Sequence, residues 1–340
     1  MIIRSKAPLR LGLAGGGSDV SPYSDIYGGL ILNATINLYA YCTIEETKDN
    51  LITICGYDSD CFQSYPLSNH LEIDGKASLI KGVYNRVIKE TGMTPRSFKI
   101  TTYNDAPAGS GLGTSSTMVV CILKCFAEWL SLPLGDYEIA RLAYEIERKD
   151  LGLSGGKQDQ YAAAFGGFNF MEFNGSKVLV NPLRIRKKYI NELEFNILLY
   201  YTGTSRLSAK IIESQAENAK NKNEKAIDAM HQLKKQSYDM KEALLMGQLS
   251  KMGDILNDGW ENKKRMSSAI SNPMIDNIYE TAIKAGASGG KISGAGGGGF
   301  FMFYCPKNSR YKVIEELQKL GGEFRRFRFT NIGAESWTIE

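Results

Sequence analysis

The chain is 340 residues long, 43% hydrophobic and 23% charged, with 41 Lys and Arg against 37 Asp and Glu, a formal net charge of +4. That is enough chain for two domains around substantial cores, and so mild and scattered a charge argues against a nucleic-acid-binding surface. No stretch approaches the ~18 apolar residues of a membrane span, and the opening MIIRSKAPLRLGLAGGG lacks the continuous apolar core of a signal peptide, so a cytoplasmic protein is expected.

In the first hundred residues MIIRSKAPLRLGLAG, GLILNATINLYAYCTIEETKD, LITICGYDSDCFQSYPL and RSFKITTYNDAP alternate or cluster β-branched and aromatic residues between turn formers. They read as strands, interrupted by one helix near 77–91. PAGSGLGTSS (107–116) leads into the apolar run TMVVCILKCF, which predicts a helix over about 114–131, and a second helix is expected at 136–150. LSGGKQDQYAAAFGGFNFMEF reads as a loop, a short helix and a strand, and LEFNILLYYTG as a strand. From 208 to about 265 the composition turns Ala-, Lys- and Glu-rich with helical spacing, predicting two or three helices, and another helix is expected at 273–285. KISGAGGGGFFMFYC is a glycine turn entering a strand, and a helix and a last strand follow. A boundary near 185–205 divides the chain into domains 1–190 and 191–340.

Six cysteines include no C-x-x-C pair, and Cys121 and Cys125 fall within an apolar helix pattern, so buried free thiols are expected. His70 and His231 are the only histidines, with no partner at metal-ligand spacing. Acid and base chemistry therefore falls to carboxylates, hydroxyls or lysines.

Three glycine clusters, GLAGGGSD (12–19), PAGSGLGTSS (107–116) and GAGGGG (294–299), suggest backbones converging on a ligand. The middle one precedes a helix, whose first N–H groups lack intrahelical partners and carry partial positive charge, and so suits an anion. It is not a Walker loop, because no G-K-[ST] follows; the last cluster has G-x-G-x-x-G spacing but leads into a strand, which argues against a dinucleotide fold. Thr114, Ser115 and Ser116 have two readings, as helix N-caps or as hydroxyls placed to ligate Mg²⁺ at nucleotide phosphates; three in a row exceed what capping needs. Glu147, at the edge of the apolar face of Ile139, Leu142, Ala143 and Ile146, is either a solvated or ion-paired residue or a functional carboxylate. Asp159 in SGGKQDQY is either another N-cap or part of a site. Arg206 and Lys210, four apart in YTGTSRLSAK, form either an anion site or an ordinary surface pair.

KAPLRLGLAGGGSD, PAGSGLGTSS, ERKDLGLSGGKQDQY and KISGAGGGGFF, in that order, resemble the motifs of the GHMP kinases, small-molecule kinases that include galactokinase, homoserine kinase and mevalonate kinase. The resemblance spans about 6–301. It implies an α+β fold in two domains, the first ribosomal-protein-like and the second ferredoxin-like, with the site in the cleft between them. It implies ATP and Mg²⁺ as cofactors. Pro107, Gly109, Ser110, Gly111, Leu112, Gly113, Thr114, Ser115 and Ser116 would surround the ATP phosphates, and Ser115 would join Glu147 on Mg²⁺. Asp159 matches the family's proposed base and Arg10 the cation that pairs with it and stabilises transferring charge. Asp19 matches the aspartate on sugar hydroxyls, with Gly16, Gly17, Ser18, Lys157, Gly296 and Gly297 beside the substrate.

Within the family, GGGSDVSPY and GGKQDQYAAAFGG look most like the sugar 1-kinases acting on D-glycero-D-manno-heptose 7-phosphate. This implies phosphorylation of the anomeric C1 hydroxyl to a 1,7-bisphosphate, feeding nucleotide-activated heptose for surface polysaccharide, with Arg206 and Lys210 on the 7-phosphate. Partners are then a sugar phosphate and ATP, with no nucleic acid or membrane, and a homodimer is left open. A fucose- or N-acetylhexosamine-type 1-kinase is one alternative, and a non-catalytic sugar or nucleotide sensor another. Two departures stand out: Gly15-Gly16-Gly17-Ser18-Asp19 replaces the G-E-H-T-D of galactokinases, and one extra residue separates Glu147 from Asp159 relative to the mevalonate-type spacing.

Overall fold

The computed structural model describes residues 1–57, 60–203, 208–221 and 223–339. The chain opens with β1 (Ile2–Ala14), a short helix α1 (Tyr23–Tyr27) and the long β2 (Gly29–Glu46). β1 and β2 pair antiparallel, and the ladder is interrupted between Pro8 and Arg10. Across that interruption the buried series changes core. Ile3 and Ala7 pack beneath the helices of the first half, whereas Leu9, Leu11 and Leu13 pack into a core shared with the second half. Arg10 and Gly12, between these leucines, emerge in a cleft. A break in register is what lets one strand serve two cores and re-aim a side chain.

β3 (Leu51–Gly56), β4 (Cys61–Pro66), α2 (Ser78–Thr91) and β5 (Phe98–Asn104) follow. Then come α3 (Thr114–Trp129), α4 (Asp136–Glu145), which runs on into a π-helical turn (Ile146–Asp150), and α5 (Gln158–Phe165). β6 (Phe168–Asn174) and β7 (Lys177–Pro182) complete the hairpin that pairs with the first part of β2. α3 is buried almost all round, from Thr117 to Phe126, because it lies between β1 and β2 on one side and α2, α4 and α5 on the other. Its apolar run, with no polar stripe, is the sequence of a helix with no exposed face.

α6 (Lys187–Asn196) leads into β8 (Ile197–Tyr201), and α7 (Ser208–Lys220), α8 (Glu224–Met246), α9 (Lys251–Met266) and α10 (Pro273–Ala285) form the helical stretch. β9 (Gly289–Ile292), β10 (Phe300–Tyr304), α11 (Ser309–Gln318), β11 (Glu323–Arg325) and β12 (Glu335–Ile339) close it. The second sheet has the order β11-β8-β10-β9, all antiparallel. The first has the order β12-β1-β2-β5-β3-β4, with β6 also on β2 and β7 on β6. β12 thus leaves the second half and pairs with β1, and residue 190 falls inside α6.

The expected helices and strands are present with two corrections. LEFN ends α6 rather than starting a strand: Tyr189, Ile190 and Leu193 pack on one core at helical spacing, and only Ile197 onward extends. The helix expected over 136–150 changes pitch at Ile146, and Glu147 is buried within the π-helical turn. All six cysteines are free, five of them buried and Cys61 half-buried. Among the described residues no helix is long and apolar enough to cross a membrane.

Candidate active site

A cleft of about 560 Å³ is walled by β1, the first glycine segment, the 107–116 loop with α3, the π-helical turn, the start of α5, and α7, α9 and β9 from the second half. Gly109, Gly111 and Gly113, at alternate positions, have φ of 72°, 84° and 81°. These values favour glycine on their own, and close approach adds to the demand. A Cβ on Gly111 would stand 2.2 Å from the Ser293 carbonyl oxygen, and one on Gly113 3.1 Å from Asp159 Cγ. The third glycine cluster packs directly on this loop, where Phe300 N donates to Ser110 O at 2.9 Å.

Gly113 is the residue preceding α3, and no side chain caps that helix. The hydroxyls of Thr114, Ser115 and Ser116 are therefore not caps, and the first amides of α3 keep their capacity for an anion. Ser115 is exposed in the cleft and Thr114 lines it. Pro107 lies outside the lining, Leu112 is a core residue whose carbonyl accepts from Arg10 N, and the Ser110 hydroxyl is buried without a partner.

Arg10 is 4% exposed and ties the cleft together. Its Nε and Nη2 both lie 2.7 Å from Asp159 Oδ1, and its Nη1 donates to Gly111 O at 2.6 Å and to Ser293 Oγ at 3.3 Å. One guanidinium thus joins β1, α5, the phosphate-type loop and the segment after β9, a fork geometry lysine does not reproduce. Asp159 sits in the first turn of α5 with its side chain 22% exposed. Among the described residues its Oδ2 has no hydrogen-bond partner.

Asp19 caps α5 from outside: its Oδ2 accepts from Lys157 N at 2.9 Å and Gln158 N at 3.0 Å. Burial pushes its carboxyl up, against the pull of those amides. It still lines the cleft, as do Gly16 and Gly17. The structure does not bring two of its expected neighbours there. Ser18 is fully buried, its hydroxyl bonded to Gly15 O and to Leu30 O and N. Lys157 contributes only its backbone, since Nζ turns to Gly175 O at 2.7 Å and Asp25 at 3.3 Å.

Glu147 reaches the cleft through the π-helical turn and is 1% exposed. Oε1 accepts from Ser116 Oγ at 3.0 Å and Oε2 from Gln160 Nε2 at 2.5 Å, while Gln160 Nε2 also donates to Ser116 Oγ at 3.1 Å. Arg148 Nη1 stands 3.6 Å from Oε1. Burial raises the Glu147 carboxyl above its usual range, which Arg148 and the two hydrogen bonds oppose. Ser116, engaged on both sides, orients Glu147, whereas Ser115 lines the same cleft and is exposed.

Gly294 and Ala295 line the cleft, but Gly296 and Gly297 do not: Gly297 N donates to Ile270 O at 2.8 Å, and Gly296 abuts the same residue. Lys210 is exposed and away from the lining, and Arg206 lies outside the described residues. Sequence reading missed Lys263 and Lys291, both buried and both in the cleft, together with Arg148, Gln158 and Gln215. The signal for Lys263 was its spacing, since it shares one face of α9 with Leu256, Gly259 and Trp260. In all, Arg10, Arg148, Lys263 and Lys291 face Asp19, Glu147 and Asp159. The four basic side chains, the uncapped helix and the glycine loop suit the cleft to anionic ligands.

The sequence matches the GHMP kinases N terminal domain over residues 78–167 and the GHMP kinases C terminal domain over 240–323. It is 48% identical over 338 residues, 99% of each chain, to a D-glycero-alpha-D-manno-heptose 7-phosphate kinase of Campylobacter jejuni. A structure described as a D-glycero-D-manno-heptose 1-phosphate kinase from Bacteroides thetaiotaomicron superposes with a TM-score of 0.86 at 57% identity, covering 99% of both chains. A mevalonate kinase structure at 21% identity, covering 98% of this chain and 100% of its own, superposes at 0.76 and shares the two-domain fold.

Proposed function

The chain belongs to the GHMP kinase family, and from that premise we propose that the cleft transfers the terminal phosphoryl group of ATP to the C1 hydroxyl of D-glycero-D-manno-heptose 7-phosphate. Kinases of this family use ATP. The observation that carries the reading is Asp159, held by Arg10 against the glycine loop with one carboxylate oxygen uncommitted. The sugar is inferred from the two full-length heptose phosphate kinase relatives.

The loop amides at Gly109, Gly111 and Gly113 and the start of α3 cradle the nucleotide phosphates. Asp159 Oδ2 takes the proton of the sugar hydroxyl as its oxygen bonds to the γ-phosphorus and the bond from that phosphorus to the bridging oxygen breaks, releasing ADP. Arg10, already charge-paired, neutralises the oxygens in transit without reorganising.

Mg²⁺ fits the residues present. Ser115 and Glu147 offer hard oxygens on the cleft wall, and among the described residues no cluster of three or more His, Cys, Asp or Glu exists to hold a metal alone. That suits an ion that takes one or two protein oxygens and completes its octahedron with phosphate and water. When bound, it supplies charge neutralisation on the phosphates, while Ser116 and Gln160 hold Glu147 in orientation. A division of the chain near residue 190, with β12 returned to the first sheet, and a cytoplasmic setting in heptose activation for surface polysaccharide complete the proposal.

The relatives' names differ over which phosphate the substrate already carries, and both routes end at the same 1,7-bisphosphate. The test is therefore ADP release with Mg-ATP across heptose 7-phosphate, heptose 1-phosphate, unphosphorylated heptose, fucose and mannose, with the product read by phosphorus NMR. Turnover of heptose 7-phosphate to the bisphosphate is expected; turnover confined to the 1-phosphate, or to fucose, refutes the assignment.

A further inference from the structure

Lys263 on α9 and Lys291 on β9 are 3% and 6% exposed, and both line the cleft. Lys263 donates to the Gly294 carbonyl oxygen. Neither ammonium has a carboxylate partner within ion-pair distance among the described residues. The one opposing charge that Lys263 feels is Asp19, whose Oδ2 is occupied by the α5 amides. An ammonium taken out of water without a counter-ion is costly, and a fold that keeps two of them side by side is incomplete until an anion arrives.

Both lysines reach the cleft from the second half, Lys263 beside Gly294, which packs on Gly111 of the glycine loop. Lys291 Nζ faces the first glycine segment, 3.9 Å from where a Cβ on Gly16 would stand; a Cβ on Gly17 would meet Met266 Cε at 2.8 Å and Gln215 Oε1 at 3.7 Å. Gln215 is 2% exposed, and its Nε2 is buried with no partner. Two ammonium groups and an unsatisfied amide donor, from α9, β9 and α7, thus line the cleft from the second half. A phosphate monoester dianion matches that set in charge and in hydrogen-bonding capacity.

We propose that Lys263, Lys291 and Gln215 form the subsite for the phosphate that the sugar already carries, and that this subsite, in place of the exposed Lys210, selects phosphorylated over unphosphorylated heptose. The inference rests on the sugar phosphate kinase reading above. In the free protein both ammonium groups are pushed toward the neutral form, Lys291 to about 8 by burial and by Arg10, and Lys263 downward by burial and then by Lys291. Anchoring the far end of the sugar fixes where its reactive hydroxyl meets Asp159, so the subsite positions as well as binds.

Lys263→Met and Lys291→Met keep the aliphatic stems and remove the charges. The expected result in each is a fall of about tenfold or more in the ratio of kcat/KM for heptose 7-phosphate to that for unphosphorylated heptose, the loss of one charge-assisted hydrogen bond. Melting temperatures are expected to stay level or rise, because an unpaired buried charge is gone. An unchanged ratio overturns the proposal, including the case in which both sugars lose turnover equally, which would put the lysines on the phosphoryl group in transit. A second arm does not depend on the sugar. With a non-hydrolysable ATP analogue saturating the phosphate loop, inorganic phosphate is titrated calorimetrically into the wild type and both variants. Binding by the wild type that weakens about tenfold or more in the variants supports the subsite; no binding, or equal binding, overturns it. Failure of the wild type to phosphorylate any heptose would sink the sugar reading alone and leave this arm to decide.

Discussion

Asp159→Asn separates what the carboxylate does for the fold from what it does for the reaction. The substitution keeps the shape and an oxygen that still accepts from Arg10, so it removes charge from a contact now made by Nε and Nη2 at 2.7 Å. Two unit charges about 4 Å apart at an effective dielectric near 20 attract by about 4 kcal/mol. Relief of the carboxylate's own desolvation and its partial exposure to solvent reduce the net cost to about 1–2 kcal/mol. Arg10 retains Gly111 O and Ser293 Oγ as acceptors, so the loop stays in place. The expected thermal shift is a fall of about 2–4 °C, with ATP affinity by calorimetry unchanged within about twofold. Turnover, by contrast, should fall about 10²- to 10⁴-fold through loss of the proton acceptor. Turnover within about tenfold of the wild type would refute the assignment and reduce Asp159 to a holder of Arg10. A parallel collapse of nucleotide affinity would instead show that the pair shapes the loop, contrary to the geometry argued here.

Three further predictions follow from the same cleft. Gly111→Ala places a methyl group 2.2 Å from the Ser293 carbonyl oxygen at a φ of 84°; the left-handed conformation alone costs about 1–2 kcal/mol, and ATP affinity should fall about tenfold or more by calorimetry, whereas wild-type affinity would discard the loop as the phosphate cradle. Ser115→Ala should raise the Mg²⁺ concentration needed for half-maximal rate about threefold to tenfold, the worth of one weak oxygen ligand, and an unchanged Mg²⁺ dependence would remove Ser115 from the metal's shell. Lys291, held at about 8 against 10.5 for an exposed lysine, binds its proton less tightly folded than unfolded. Its destabilising effect is therefore fully present below about pH 8 and is relieved as pH rises toward about 10.5, by up to about 3 kcal/mol. Lys263 acts in the same sense. Urea midpoints of wild type and Lys291→Met, compared at pH 7.5 and 10, should show a steeper rise in the wild type; parallel behaviour would refute the account.

Much of this site was legible because glycine is. Three clusters with no other use announced backbone convergence, and the Cβ clashes at Gly111, Gly294 and Gly299 are that convergence in physical form. Side-chain roles were less legible, for identifiable reasons. Glu147, placed by periodicity at the edge of an apolar face and open to a solvated or a functional reading, is buried in the π-helical turn. Lys157 stood beside the right glycines, but only its amide serves the site, because Asp25 and Gly175 capture its ammonium. Lys263 looked like one more charge in ENKKRM, although its phase on α9 was apolar throughout. LEFN was read as strand on composition, and packing of Leu193 beside Tyr189 and Ile190 overrode it.

The return of β12 to β1 bears on how the chain is made. Among the described strands β1 comes first and β12 last, so one edge of β1 goes unpaired throughout synthesis of everything between them. Phe329 and Thr330 bridge back to Ile36 and Thr35 on the same schedule. Vectorial folding can assemble the helices over β2 early, but the first sheet remains open-edged until translation of these segments is complete. A nascent chain stalled before residue 329 would therefore present a bare, aggregation-competent strand edge.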